Sequence, residues 1–232
     1  MMKEMILVMS NRRVIAIGDV HGCFYTLKEL WERVNPQQED IIIFLGDYID
    51  RGSHSYEVIE FLKEKKKEFP FLMLLLGNHE DLCYNAYETK DSWLWLMNGG
   101  GATQNSFLQN GKEWDSSDLL LFISDLDSYV VLEDYGLCFV HANIPEAEDP
   151  EHETLKNMLW SRSFVNNTPF TVVCGHTRHK YPKEYNNPNK IICIDTGCVG
   201  GGHLTAAVFE NGKADPYYYT VKMNEKDWGE NI

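Results

Sequence analysis

Polar side chains that could hold a metal ion or a phosphate follow five apolar segments of this sequence. The segments read VIAIGDVH, IIIFLGD, FLMLLLGNH, LCFVH and TVVCGH. Apolar runs of this length, rich in β-branched residues and closed by a turn, predict buried strands. Because ligands of open α/β sheets bind beyond the carboxyl ends of the strands, we expect the polar side chains to meet at one edge, where they could support metal-assisted hydrolysis. They are Asp19, His21, Asp47, Asn78, His79, His141 and His176.

The spacing of these side chains fits two adjacent metal ions. Residues i and i+2 of an extended chain point the same way, so Asp19 and His21 can meet one ion. Asp47 can bridge two ions, and three further side chains could complete the second ion: Asn78, His141 and His176. Mixed carboxylate and imidazole ligands favour Mn, Fe or Zn over Ca or a purely Mg site. A single strand-end histidine is more often a satisfied polar residue, but the joint pattern favours metal ligands.

Three sequence blocks resemble the signature of a known family. GDVHG at 18–22, GDYIDRG at 46–52 and GNHE at 77–80 are similar to blocks of the phosphoprotein-phosphatase branch of the calcineurin-like metallophosphoesterases. FVHAN, CGHT and DTGCVGGGHLTA are similar to the later blocks of compact bacterial and phage members. The resemblance covers residues 12–210. It implies an α/β fold, a four-layer α/β/β/α metallophosphoesterase sandwich, which we expect to form one domain over 1–232.

The resemblance also implies a role for each matching residue. The first metal ion would be held by Asp19, His21 and Asp47, and the second by Asp47, Asn78, His141 and His176. Two divalent ions of this kind can share a bridging hydroxide that attacks phosphorus. Arg51 resembles the arginine that clamps the phosphate. Arg162, in WSR, is similar to the second phosphate arginine, with an exposed helix-end arginine as the alternative. His79 resembles the proton donor, with Asp50 as the residue that orients it.

These roles imply hydrolysis of a phosphate monoester, with phosphoserine or phosphothreonine in a protein or peptide, or a small phosphate ester, as substrate. One alternative is a symmetrical dinucleoside tetraphosphate hydrolase, which is similar in the same blocks. A second is a catalytically silent phosphate-binding module, although such a protein need not retain the complete set of ligands, arginine and acid. The motifs leave open the physiological substrate, the native metal, the oligomeric state and the roles of His203 and of the loops 81–127 and 143–170.

Composition restricts the partners and the compartment. The formal net charge is -14, from 21 basic and 35 acidic residues, which argues against nucleic acid or an anionic membrane as partner. A phosphate substrate would therefore need local cations, and Arg178, His179 and Lys180 could form a basic rim or simply a charged loop tip. The six cysteines form no CxxC pair and favour a reduced, cytoplasmic protein. The apolar run near the N-terminus is too short for a secretory segment, and no stretch reaches transmembrane length.

The order of predicted elements favours two packed sheets. Strands alternate with amphipathic helices at 24–34 and 54–68, which predicts parallel pairing with right-handed crossovers. Residues 79–126 are predicted mostly helical, with a break at 98–101 where Gly99, Gly100 and Gly101 provide either a helix–helix turn or a close backbone approach. From 128 onward strands dominate, beginning with a hairpin, and a short helix is predicted at 151–160.

Overall fold

In the part of the chain that the structure describes, ten strands form two five-stranded sheets that lie face to face. The computed structural model describes residues 12–210 and 215–228. The strands are β1 (Val14–Ile17), β2 (Ile41–Phe44), β3 (Leu72–Leu74), β4 (Tyr129–Leu132), β5 (Leu137–Val140), β6 (Thr171–Cys174), β7 (Lys183–Asn186), β8 (Lys190–Cys193), β9 (His203–Phe209) and β10 (Tyr217–Lys222). The first sheet has the order β10-β9-β1-β2-β3 and the second β4-β5-β6-β8-β7.

Helices cover the outer face of the first sheet, and the first two of them connect its parallel strands. They are α1 (Phe24–Val34), α2 (Ser55–Glu68), α3 (Asn78–Thr89), α4 (Trp93–Met97), α5 (Gly100–Gln109) and α6 (Ser117–Ser124), and α7 (Leu155–Trp160) lies on the second sheet. The pairs β1–β2 and β2–β3 are parallel, with Val14 opposite Ile41 and Ile42 opposite Leu72. The predicted βαβαβ order and the boundaries of α1 are therefore confirmed, and α2 begins one residue later than predicted.

Alternate side chains of the strands fill three apolar layers. Val14, Ile43, Phe139 and Val173 belong to the core between the two sheets. Ile15 and its outward-facing neighbours pack instead against the helices of the first sheet, and a third cluster joins the second sheet to α7 through residues such as Cys138 and Met158. Full burial stabilises each large apolar side chain by about 1.5–3 kcal/mol. The helix, sheet, sheet and helix layers confirm the four-layer sandwich.

The last two strands return to the first sheet. β9 runs antiparallel to β1, with Val14 opposite Phe209, and β10 pairs with β9. The strand-rich part after residue 128 thus contributes to both sheets. β7 was not predicted from the sequence because Lys183–Asn186 is an exposed polar edge strand without apolar alternation.

The glycine segment provides a close approach of backbone. Gly100 and Gly101 lie inside α5, and only Gly99 occupies the break, with φ of 106°. The Gly99 carbonyl accepts the Arg51 N–H at 3.2 Å, and a Cβ at Gly100 would collide with the Trp95 indole. Both interpretations of the glycine segment therefore hold, because Gly99 lies in the turn between α4 and α5 and its backbone also contacts Arg51.

Helices of membrane-spanning length and apolarity are absent from residues 12–210 and 215–228. The N-terminal apolar run, which was predicted to be too short for a secretory segment, lies outside the described residues.

Candidate active site

The turns after β1, β2, β3, β5 and β6 bring the predicted polar residues to one place between the ends of the two sheets. Ligand-type atoms of His21, Asp47 and His79 all lie within 4.8 Å of one another. The same holds for Asp47, His141 and His176, so Asp47 belongs to both groups. The turns that carry these side chains follow strands of both sheets, so both sheets contribute ligand atoms to one site.

Left-handed backbone conformations aim these side chains. Five site residues other than glycine have positive φ angles: His21, Asp47, Asp50, Arg51 and His176. Such conformations cost roughly 1–3 kcal/mol each and persist only where surrounding contacts impose them. The structure supplies those contacts, beginning with the carboxylate of Glu80.

Glu80 fixes the turn that carries Asp47. Its Oε2 accepts the N–H groups of Asp47 at 2.9 Å and Gly77 at 3.1 Å, and its Oε1 accepts those of Tyr48 at 2.8 Å and Ile49 at 3.2 Å. Burial, followed by the adjacent Asp47 carboxylate, raises the pKa of Glu80 to about 8. We nevertheless expect the ionised form to dominate, because four converging donors favour an anion and leave little room for a proton. Glu80 is the last residue of the GNHE block, and the sequence does not indicate this structural role for it.

His21 presents a lone pair to Asp47. Its Nδ1 lies 2.9 Å from the Ile49 carbonyl oxygen, which can only accept, so Nδ1 carries the proton and Nε2 does not. Burial lowers the pKa of His21 to about 3, which keeps the ring neutral. Nε2 faces the Asp47 Oδ2 at 3.3 Å, and Arg51 donates to the same nitrogen at 2.8 Å. An acceptor nitrogen beside a carboxylate is an arrangement that a cation stabilises.

A second group of metal-ligand-type atoms converges on the other oxygen of Asp47. His141 donates from Nδ1 to the Leu45 carbonyl at 2.8 Å, and its Nε2 lies 2.9 Å from the Asn78 Oδ1 and 3.5 Å from the Asp47 Oδ1. The His176 Nδ1 lies 2.9 Å from the same Asn78 oxygen, and its buried Nε2 has no hydrogen-bond partner among the described residues. Burial lowers the pKa of His176 to about 3. Two imidazoles, a carboxylate and an amide oxygen fit a divalent transition metal.

Asp19 lies beside these groups but outside both close trios. Its carboxylate accepts the His176 N–H at 3.1 and 3.2 Å, which links the turn after β1 to the turn after β6. Burial, and then repulsion from Asp195 and Asp47, raises the pKa of Asp19 well above its ordinary value. Carboxylates crowded in this way fit a site that binds cations. Asp195 was missed as a site residue, although it follows β8 in the DTG block.

His79 and Asp50 form a buried pair. The His79 Nδ1 lies 2.7 Å from the Asp50 Oδ2, and Asp50 also accepts from the Trp95 indole at 2.8 Å and the Thr103 hydroxyl at 2.7 Å. Burial lowers the pKa of His79, but Asp47 and Asp50 outweigh it and raise the pKa above its ordinary value. The His79 Nε2 has no partner in the described part of the chain. Trp95 and Thr103 were not predicted to support Asp50.

Three arginines line a cavity of about 490 Å³ above these ligands: Arg51, Arg162 and Arg178. His21, Asp47, Asn78 and His176 reach the same cavity, and Trp160 and Trp228 lie on its wall. His203 is not among the lining residues; its N–H donates to the Thr196 carbonyl at 3.1 Å where β9 begins. The site thus combines metal-ligand types, exposed guanidinium groups and a buried His–Asp pair.

Known proteins share these sequence blocks and this fold. A model of the family described as calcineurin-like phosphoesterase matches residues 12–205. Serine/threonine-protein phosphatase 1 of Salmonella typhimurium is 31% identical over 84% of this chain and 91% of its own length. Serine/threonine-protein phosphatase 2 of the same organism is 28% identical with the same coverage. A crystal structure described as that of a candidate diadenosine tetraphosphatase superposes with a TM-score of 0.72 at 23% identity, over 93% of this chain and 95% of that one. The chain therefore belongs to the calcineurin-like phosphoesterases and is an enzyme of that family, which uses two divalent metal ions.

Proposed function

We propose that this enzyme hydrolyses phosphoserine and phosphothreonine in proteins or peptides. The observation that supports it most is the convergence of acceptor atoms on both oxygens of Asp47 beneath a cavity lined by arginines. The proposed ligands are Asp19, His21 and Asp47 for one ion and Asp47, Asn78, His141 and His176 for the other. The two Salmonella typhimurium relatives described above are named as serine/threonine phosphatases and match most of this chain.

The chain's own residues have distinct parts in the proposed reaction. When bound, two divalent ions supply Lewis acidity and a nucleophilic hydroxide near neutral pH. Arg51 and Arg162 hold the phosphoryl oxygens, because the planar guanidinium fork can donate to two oxygens together. His79 donates a proton from Nε2 to the leaving alkoxide, while Asp50 holds Nδ1–H and fixes the ring. A catalytically silent module is disfavoured because each of these parts is present.

The cysteines and the sheet topology support two further parts of the proposal. All six cysteines are free and buried, and the Sγ atoms of Cys174 and Cys193 lie 3.4 Å apart without a bond. We therefore propose a reducing, cytoplasmic location. We also propose one domain over 1–232, because β9 and β10 return to the sheet that the N-terminal strands begin.

Hydrolysis of symmetrical dinucleoside tetraphosphates is the second candidate function. Trp160 and Trp228 line the cavity with 38% and 45% of their surface exposed, and an exposed indole can stack on a nucleobase. The negative net charge of the chain weighs against a long polyanionic bridge. The candidate diadenosine tetraphosphatase structure described above is only 23% identical to this chain, so the similarity supports the fold and does not decide the substrate.

Steady-state kinetics on matched substrates tests the proposed function. Phosphoserine, phosphothreonine and phosphotyrosine peptides and diadenosine tetraphosphate should be compared at one salt concentration with Mn²⁺ in excess. We expect kcat/KM to be highest for phosphoserine or phosphothreonine peptides. A kcat/KM about tenfold or more in favour of the dinucleotide would replace the proposed function with the second candidate.

A further inference from the structure

We propose that Arg178 binds a second anionic group of the substrate, beside the phosphoryl group that is hydrolysed. On this proposal the enzyme prefers phosphopeptides that carry an acidic or a second phosphorylated residue close to the target residue. The inference rests on the proposed protein phosphatase function and adds a substrate preference to it.

The backbone and two glycines hold Arg178 in place. It follows the turn after β6, where the His179 N–H donates to the Asp195 carbonyl at 2.9 Å. A Cβ at Gly197 would collide with the aliphatic stem of Arg178, and one at Gly200 would lie 2.8 Å from its Nη1. The missing side chains of Gly197 and Gly200 therefore leave the space in which the arginine extends to the cavity.

The guanidinium of Arg178 forms no ion pair with a carboxylate of the described residues. None of the cavity arginines forms an ion pair with a carboxylate in the ranges that the structure describes. This is notable in a chain with 35 acidic and 21 basic residues. Arg51 and Arg162 suffice to hold one phosphoryl group in the proposed reaction. A third unpaired guanidinium in the same cavity is therefore available for another anion.

The cavity has room for more than one side chain. Its volume of about 490 Å³ falls within the roughly 300–1,000 Å³ of sites that enclose drug-sized ligands, whereas a phosphorylated side chain alone is much smaller. An extended peptide places side chains i and i+2 on the same face, about 6.5 Å apart. An acidic residue two positions from the phosphorylated one can therefore face the same cavity. This geometry favours a peptide as the source of the second anion.

Two sets of phosphopeptides test the proposal. The peptides should be identical except for Glu or Gln placed one or two positions from phosphoserine, with p-nitrophenyl phosphate as a substrate without neighbours. Wild type should favour the best-placed Glu peptide by about tenfold in kcat/KM, as expected of a charge-assisted contact that is partly exposed. Arg178→Gln should reduce this ratio to about twofold or less, and Arg178→Lys should retain part of it. The decrease in kcat/KM that Arg178→Gln causes should be several-fold smaller for p-nitrophenyl phosphate than for the Glu peptide.

Lys180→Gln is the matched control. It also removes one positive charge, two residues from Arg178 in the sequence, but the Lys180 side chain lies outside the cavity. It should keep the wild-type preference. Equal kcat/KM values of the wild type on the Glu and Gln peptides would overturn the proposal. An Arg178→Gln variant whose kcat/KM falls equally on all substrates would also overturn it, because Arg178 would then contact the hydrolysed phosphoryl group.

Diadenosine tetraphosphate separates the peptide source from the nucleotide source. The second anion belongs to a nucleotide, and the peptide preference is overturned, if two results are found together. The kcat/KM for diadenosine tetraphosphate must exceed that for every peptide, and Arg178→Gln must lower it more than it lowers the kcat/KM for any other substrate. Turnover of p-nitrophenyl phosphate without turnover of any phosphopeptide would overturn the protein phosphatase function itself, and the preference with it.

Discussion

Replacing Glu80 with Gln tests whether a buried carboxylate fixes the turn that carries Asp47. Gln keeps one oxygen but places an NH₂ group where the other oxygen accepts two backbone N–H groups. Two buried backbone N–H groups would then face the NH₂ donor and lose their acceptor. Because each unsatisfied buried donor costs about 1–3 kcal/mol, we expect Glu80→Gln to lower the free energy of unfolding by about 2–6 kcal/mol.

Urea denaturation of the chelator-treated protein measures this effect without a contribution from bound metal. Glu88→Gln, on the exposed face of the same helix, makes the same change of charge and should alter the free energy of unfolding by less than about 0.5 kcal/mol. If the raised pKa keeps Glu80 protonated in the folded protein, Gln would mimic it closely. A Glu80→Gln protein as stable as Glu88→Gln would therefore refute the assignment of an ionised carboxylate at this position.

Three further substitutions address the proton donor, the phosphate clamp and the fold. His79→Asn should lower kcat by roughly 10²–10⁴ on alkyl phosphates and by less on aryl phosphates, which need less protonation; loss of bound metal instead would identify His79 as a ligand. Arg51→Ala should weaken inhibition by inorganic phosphate, and unchanged inhibition would exclude the clamp. Asp227→Ala removes the buried acceptor of the Tyr25 and Thr26 N–H groups at the start of α1, so we expect a loss of about 1–3 kcal/mol on urea unfolding; wild-type stability would contradict this capping role.

The positions of the metal-ligand candidates follow from strand ends. Apolar runs with a turn behind them predict where Asp19, His21, Asp47 and Asn78 lie relative to the sheet, because parallel strands share a carboxyl edge. The same logic brings His141 into the site from the second sheet. Hydrophobic periodicity also predicts α1 without error, since one face of that helix is consistently apolar.

Contacts between side chains and distant backbone could not be predicted in this way. The acceptors in Glu80 and Asp227 meet N–H groups more than 30 and 200 residues away, and neither polar residue has a periodic signal. Burial of Trp95 would be expected of any large aromatic residue, but the donation of its indole N–H to Asp50 is not indicated by the sequence. Arg178 reaches the cavity through space that a side chain at Gly197 or Gly200 would occupy. Such features depend on how loops pack after the strands have formed.

Metal content measured together with activity tests the proposed site most directly. Elemental analysis of fully active protein should show about two transition-metal ions per chain, as two-metal hydrolysis requires. Asp47→Asn should lower the occupancy of both ions, because Asp47 belongs to both groups of ligands, whereas Asn78→Ala should lower that of one. Full activity with one ion or none, or an Asp47→Asn protein that retains both ions, would contradict the shared two-metal site.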